Sequence, residues 1–140
     1  ANLVVELRQQ SIPIVSLVAE SEEELVGHIM FSPVELLGYP ELRIMGLAPM
    51  AVSNQYQRQG IGSKLVLAGI EECRKLGFGA VVVLGHANYY PRFGFKPSIN
   101  FNISCEYDVP EEAFMVVELE KGYLKGVSGK IRYNQAFNNV

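Results

Sequence analysis

Residues 57–63 read Gln57-Arg58-Gln59-Gly60-Ile61-Gly62-Ser63, and this turn decides how the rest of the chain is interpreted. The apolar stretch 43–52 before it predicts a strand, and the apolar residues after it recur every three or four positions up to Leu76, as on one face of a helix. A helix that begins at two glycines directs backbone amides at whatever lies ahead of it. The turn is therefore either an anion site or a device for packing the helix closely on a sheet.

Two known phosphate loops do not match these letters. A P-loop needs Gly-Lys-Ser/Thr, whereas Gly62-Ser63-Lys64 has the wrong order. A dinucleotide fingerprint needs a small residue where Leu65 stands, and an acidic residue after the next strand, where Gly85 and His86 stand. Neither nucleotide motif explains the turn.

Other segments predict a mixed α/β sheet flanked by helices. Strands are expected at 14–20, 25–37, 80–84, 114–119 and 129–133, with a tight turn at 21–24 and a bulge or splay near Pro49. Residues 87–93 predict one short helix or a pair of turns, and 107–112 a turn leading into a helical cap. With 140 residues, the chain is expected to form one domain over residues 1–140.

Bulk composition excludes several functions. Twelve basic and 15 acidic residues leave a net charge of −3, so no basic surface for nucleic acid is expected. Apolar runs are too short to cross a membrane, and no export signal is visible, which favours a cytoplasmic protein with reduced Cys73 and Cys105. No metal site is expected, because the histidines and cysteines lack ligand spacing.

Two motifs together resemble one family. Gln57-x-x-Gly60-x-Gly62 is similar to the acyl-CoA pyrophosphate motif of the GCN5-related N-acetyltransferases, and residues 88–95, Asn-Tyr-Tyr-Pro-Arg-Phe-Gly-Phe, resemble the family's Tyr-x-x-x-Gly-Phe segment. The tail around residues 107–115 resembles the YhbS-like subgroup. The resemblance implies the acyl-CoA N-acyltransferase fold with a mostly antiparallel sheet. Because the family fold opens with a strand and one or two helices, its first strand and helix are expected to be missing ahead of Ile14.

The resemblance also implies a function and a set of site residues. The expected reaction moves an acetyl group from acetyl-CoA to a primary amine of a small molecule or a protein, by direct attack. The alternative is a non-catalytic module that senses or binds CoA. Residues implied in donor binding are Met50, Ala51, Val52, Gln57, Arg58, Gln59, Gly60, Ile61, Gly62, Ser63, Asn88 and Arg92.

For catalysis, the resemblance implies Tyr90 as the acid that protonates the departing thiolate. The alternative for Tyr90 is a core aromatic residue. Glu35, Glu41 and His86 are the candidates for the base, although each is also an ordinary surface residue type. Asn88 is equally suited to a turn, and Arg92 to a surface ion pair. Residues 131–137 are expected to cover a sheet edge of the same chain or of a partner in a homodimer.

Overall fold

The structure is a computed structural model that describes the backbone of residues 3–9 and residues 14–133 in full. It divides into two compact units. The first comprises residues 1–32 and 47–76, and the second comprises residues 33–46 and 77–140. Within the described residues, no helix is long and apolar enough to cross a membrane.

The first unit is an antiparallel strand meander. Its strands are β1 (Leu3–Gln9), β2 (Val15–Ser21), and parts of β3 (Glu24–Leu36) and β4 (Ile44–Val52), which follow one another across the sheet. Glu22 and Glu23 form the hairpin turn between β2 and β3, and both have positive φ, 52° and 67°. Two left-handed residues match the twist of the flanking strands, so the predicted tight turn is confirmed.

Strand β1 corrects one expectation. A strand ahead of the hairpin was expected to be missing, whereas Leu3–Gln9 pairs with β2 in antiparallel register, from Leu3 opposite Ser21 to Gln9 opposite Val15. The sequence pattern did not reveal this strand, because its residues show no clear alternation of apolar and polar side chains. The strand is defined by its pairing with β2. No helix precedes β2 among residues 3–9 and 14.

Helix α1 (Ile61–Lys75) packs on this meander through the predicted apolar face. The buried residues of that face are Ile61, Leu65, Val66, Gly69, Ile70 and Cys73. At Gly69 the fit is tight, since a Cβ there would lie 2.0 Å from Cε1 of the buried Phe31. Gly77, with φ 88°, follows the helix and ends it in the left-handed conformation that glycine favours.

The later strands of the sheet belong to the second unit. Strand β5 (Ala80–Leu84) pairs antiparallel with β8 (Phe114–Glu118), which also pairs with the short β6 (Lys96–Pro97). Strand β9 (Gly129–Tyr133) pairs with the end of β3 and, in parallel, with β7 (Ile103–Cys105). One buried cluster fills the face of this sheet, with Val82, Phe114 and Ile131 among its members.

Most predicted elements are confirmed within one or two residues. Strand β4 runs from Ile44 to Val52 and includes Pro49, whose peptide bond to Ala48 is cis; the splay of the sheet there stays a prediction. Residues 87–93 contain a short 3₁₀ helix at Tyr90–Phe93, and 111–113 form another. Strands β6 and β7 were not predicted. In the segment 131–137, residues up to Tyr133 cover the chain's own sheet, whereas 134–137 lie outside the described residues.

Candidate functional site

The turn before α1 has the geometry of an anion-binding nest. Gly60 caps the helix with φ 84° and ψ 4°, and Arg58, two residues earlier, is also left-handed with φ 64°. Left-handed residues in such a turn bring successive amides onto one concave side. At the helix start, the amides of Ile61 and Gly62 have no carbonyl within the helix to bind. The first turn of α1 holds no acidic residue, so the positive end of the helix is not neutralised there.

Gln57 braces the turn. Its Nε2 donates to the carbonyl oxygen of Val52 at 3.0 Å and lies 3.3 Å from Oδ1 of Asn54. Gln59 makes a similar bond from Nε2 to the carbonyl oxygen of Gln55 at 3.1 Å. The motif's glutamine therefore ties the turn to the end of β4.

The start of the helix is also anchored on the sheet. The amide of Ser53 donates to the carbonyl oxygen of Val26 at 2.8 Å. Next to it, a Cβ on Gly27 would lie 3.2 Å from Cγ2 of Ile61 and 3.4 Å from the carbonyl oxygen of Ala51. A glycine on β3 thus lets the first turn of α1 sit close to β3 and the end of β4.

The surface of the turn is accessible. Arg58, Gln59 and Gly60 are exposed, while Gly62 and Ser63 are half-buried. A Cβ on Gly60 would meet nothing within 4 Å. Glycine at position 60 is therefore favoured by its positive φ and leaves open space beside the amides. Met50 and Val52, at the end of β4, are half-buried, and Ala51 is exposed.

Tyr90 lies in the second unit, and its ring packs against Gly85, the residue that follows β5. A Cβ on Gly85 would be 2.3 Å from Cε2 of the tyrosine ring. The rings of Tyr89 and Phe95 contact Tyr90 edge-to-face, with centroids 5.0 Å and 5.6 Å away. Tyr90 is only 7% exposed. Burial, with a smaller effect of Tyr89, raises the pKa of its hydroxyl, so the phenol stays protonated.

Three other predicted residues belong to the same segment. His86 is exposed, and its carbonyl oxygen accepts hydrogen bonds from the amides of Tyr89 and Tyr90. Asn88 is exposed in the turn between them. Arg92 folds back on its own segment: Nε donates to the carbonyl oxygen of Tyr89 at 2.9 Å, and the guanidinium lies 4.6 Å from the centre of the Tyr89 ring.

Glu35 does not join this group. It stands on β3, and its carboxylate pairs with Arg132 of β9 at 3.4 Å, with both side chains about half exposed. The structure thus brings His86 and Tyr90 into one segment and ties Glu35 to a different strand. Among the residues that the structure describes, no group of three or more His, Cys, Asp or Glu side chains is arranged to hold a metal ion.

A family model for acetyltransferases of the GNAT family matches residues 5–95. The chain belongs to the GNAT acetyltransferase family. It is 37% identical over 139 residues to YhbS of Escherichia coli strain K12, named an uncharacterised N-acetyltransferase, and the match covers 99% of this chain and 83% of YhbS. The predicted family, its YhbS-like subgroup and an N-acetyltransferase enzyme are thereby confirmed.

Two solved structures agree with this fold. The crystal structure of Escherichia coli YhbS in complex with CoA has a TM-score of 0.84 and 37% identity, and the match covers 89% of this chain and 69% of that one. A GNAT acetyltransferase from Brucella melitensis in complex with acetyl-CoA has a TM-score of 0.70 and 34% identity, with 88% and 68% coverage. The predicted acyltransferase fold is therefore confirmed.

Sequence reasoning missed the residues that support the site. Oδ1 of Asn54 lies within hydrogen-bond distance of the Gln57 side chain, and the carbonyl oxygen of Val26 accepts a hydrogen bond from the amide of Ser53. Gly85 contacts the ring of Tyr90. Only Gly85 carried a signal, as a glycine directly after a buried strand. The other two act through contacts that form once the strands have paired.

Proposed function

We propose that this protein transfers an acetyl group from acetyl-CoA to a primary amine by direct attack of the amine on the thioester. The observation that carries the proposal is the turn at Gly60, where two left-handed residues and the start of α1 direct amides into open space. Two relatives of more than 30% identity have structures in complex with CoA and acetyl-CoA, which supports the choice of donor.

In this proposal, backbone amides from Gln59 to Ser63 bind the pyrophosphate of the donor. A helix N-terminus without acidic residues attracts phosphate through its dipole and through the backbone amides of its first turn. Gln57 keeps the turn in place through Val52 and Asn54, and Arg58 adds a nearby exposed positive charge. Met50, Ala51 and Val52 are assigned to the pantetheine arm and the acetyl carbonyl, as the family resemblance implies.

Tyr90 is proposed as the acid for the departing thiolate. A group that donates a proton must hold it at the working pH, and burial raises the pKa of this phenol above its usual value near 10. The ring is fixed by Gly85, Tyr89 and Phe95, which orients the hydroxyl. Within the described residues, that hydroxyl makes no hydrogen bond of its own, which leaves it available to a ligand.

His86 is the preferred base. Glu35 is already paired with Arg132, whereas the exposed imidazole of His86 belongs to the segment that carries Tyr90. An imidazole nitrogen can accept a proton from an ammonium group, and histidine is the most frequent general base in enzymes. Asn88 and Arg92 are proposed as further contacts to acetyl-CoA. For this, the Arg92 guanidinium would first have to break its contacts with the carbonyl oxygen and ring of Tyr89.

The free thiols of Cys73 and Cys105 support a reducing compartment such as the cytoplasm.

Gly60→Asp tests the donor site, with Gly60→Asn as the matched control. Both side chains tolerate a left-handed backbone, and there is room for either at position 60. Only aspartate places a negative charge against the pyrophosphate. We expect Gly60→Asp to weaken CoA binding by about 100-fold, corresponding to about 2.7 kcal/mol for one lost anion site with added repulsion, measured by calorimetry.

Gly60→Asn should lose much less affinity, and a thiol-release assay with a panel of primary amines should show turnover in the wild-type protein. Equal CoA affinity in the aspartate and asparagine variants would remove the pyrophosphate role of the turn. Tight CoA binding without any release of free thiol would instead favour a module that binds CoA without catalysis.

A further inference from the structure

A cavity of about 180 Å³ lies in the second unit, and neither Tyr90 nor His86 lines it. Its floor is apolar and includes Ile103 and Phe114, which are 3% and 2% exposed. A cavity of roughly 150 Å³ lined by aliphatic and aromatic side chains is known to hold one benzene molecule. The space here is therefore sufficient for one six-membered ring.

One polar group in the wall has no partner. Ser98 lines the cavity and is only 5% exposed, and its hydroxyl makes no hydrogen bond to any described residue. Among the described residues, the one fully buried side-chain atom without a hydrogen-bond partner is Oγ of Ser32, so the hydroxyl of Ser98 is accessible. A molecule in the cavity can hydrogen-bond to it.

The rim carries negative charge. Asp108 and Glu111 line the opening, and neither forms an ion pair with any residue in the described part of the chain. No lysine or arginine lines the cavity. An apolar floor below two unpaired carboxylates is complementary to a ring or alkyl chain that bears a positive charge at one end.

This cavity lies on the opposite face of the sheet from Tyr90. Phe114 belongs to the buried cluster that contains Ile103, and Leu84, which pairs with Phe114, packs against that cluster. Tyr90 instead contacts Gly85, the next residue along the chain, and neighbouring residues of a strand point to opposite faces. A ligand in the cavity is thus separated by the sheet from the proposed acid.

We propose that this cavity is a second binding site, which takes a small organic ammonium ion with an apolar body, such as an aryl-alkylammonium. The ring lies on Ile103 and Phe114, the ammonium group lies between the carboxylates of Asp108 and Glu111, and a polar substituent reaches the hydroxyl of Ser98. Occupancy of this site does not require acetyl-CoA, because none of its residues belongs to the turn at Gly60.

The test is titration of benzylammonium chloride into the ¹⁵N-labelled protein, followed by amide chemical shifts. We expect saturable shifts confined to residues 98–114. Uncharged benzyl alcohol should bind about tenfold more weakly, because it lacks the two partly exposed charge contacts. The double variant Asp108→Asn/Glu111→Gln should lower the affinity for benzylammonium to that for benzyl alcohol. Both substitutions are close in size and lie at exposed positions, so folding is retained.

Glu112→Gln is the matched control, since Glu112 is an exposed neighbour of Glu111 that does not line the cavity; its affinity should equal that of the wild type. The proposal is wrong if benzylammonium causes no saturable shifts in residues 98–114, or if the double variant binds it as tightly as the Glu112→Gln control. Repeating the titration with Gly60→Asp separates the two proposals: the shifts should persist there even though CoA binding is weakened about 100-fold.

Discussion

Tyr90 combines a fixed ring with a proton that burial retains. Its ring rests on Gly85 and contacts Tyr89 and Phe95, so Tyr90→Phe keeps the packing and removes only the hydroxyl. We expect turnover to fall by about 10²- to 10⁴-fold, the usual contribution of a positioned acid, with CoA affinity unchanged. Steady-state kinetics with calorimetry would measure both.

The pH profile gives an independent check on Tyr90. Burial raises the pKa of the phenol, so the acid is protonated throughout the neutral range, and loss of activity from its ionisation should appear only above pH ~10. Tyr89→Phe is the control for a ring in the same cluster and should keep most of the turnover. Full activity in Tyr90→Phe would exclude Tyr90 as the acid.

The buried thiol of Cys73 makes the free energy of unfolding depend on pH in the alkaline range. The thiol is fully buried on α1, and burial, with a smaller effect of Glu72, raises its pKa to about 12 from an ordinary value of 9.0. The unfolded thiol ionises near pH 9 while the folded one stays neutral. The difference in thiol ionisation therefore leaves the free energy of unfolding unchanged below pH 9 and lowers it as the pH rises from 9 to 12.

Urea unfolding at pH 7 and pH 10.5 would measure this effect against Cys73→Ala. Between these two pH values, the wild type should lose about 2 kcal/mol more unfolding free energy than the alanine variant loses, as the shift of the thiol pKa predicts. Equal losses in the two proteins would show that the thiol does not titrate differently on folding.

At the level of elements, α1 depends on close approach to β3. Gly69→Ala would place a Cβ 2.0 Å from the ring of Phe31, which is 0% exposed and has no room to move. Overpacking of this kind costs about 1–3 kcal/mol, although alanine itself favours a helix by about 1 kcal/mol. We expect a net destabilisation of up to about 2 kcal/mol, measured by urea unfolding.

Phe31→Leu supplies the matching double-mutant cycle. Leucine lacks the ring edge that the new Cβ meets, so Gly69→Ala should cost less in the Phe31→Leu background than alone. Additive effects of the two substitutions would contradict the contact between Gly69 and Phe31 as the reason for glycine at this position.

For the whole molecule, donor binding should raise stability by mass action. Acetyl-CoA at 100 times its Kd is expected to add about 2.7 kcal/mol to the unfolding free energy. For a chain of this length, the melting temperature should rise by roughly 10 °C. Scanning calorimetry of the wild type and Gly60→Asp would measure it, and an equal rise in the variant would place the donor elsewhere.

The amino-acid sequence by itself determined the long, strongly patterned elements and the donor motif. Helix α1 and strand β5 were predictable because apolar period and length separate helix from strand, and Gly60 because only a special backbone conformation explains glycine there. The motif residues around Tyr90 also pointed to the family without any structure.

Tertiary structure alone decided what those residues contact. Strands β1, β6 and β7 exist through pairing with another strand, which short segments do not encode in their own pattern. Gln57 braces the turn instead of reaching outward, and Glu35 pairs with a strand almost a hundred residues away. The physical reason is that periodicity reports which face of an element is buried, whereas the partner on that face is set by how the chain packs.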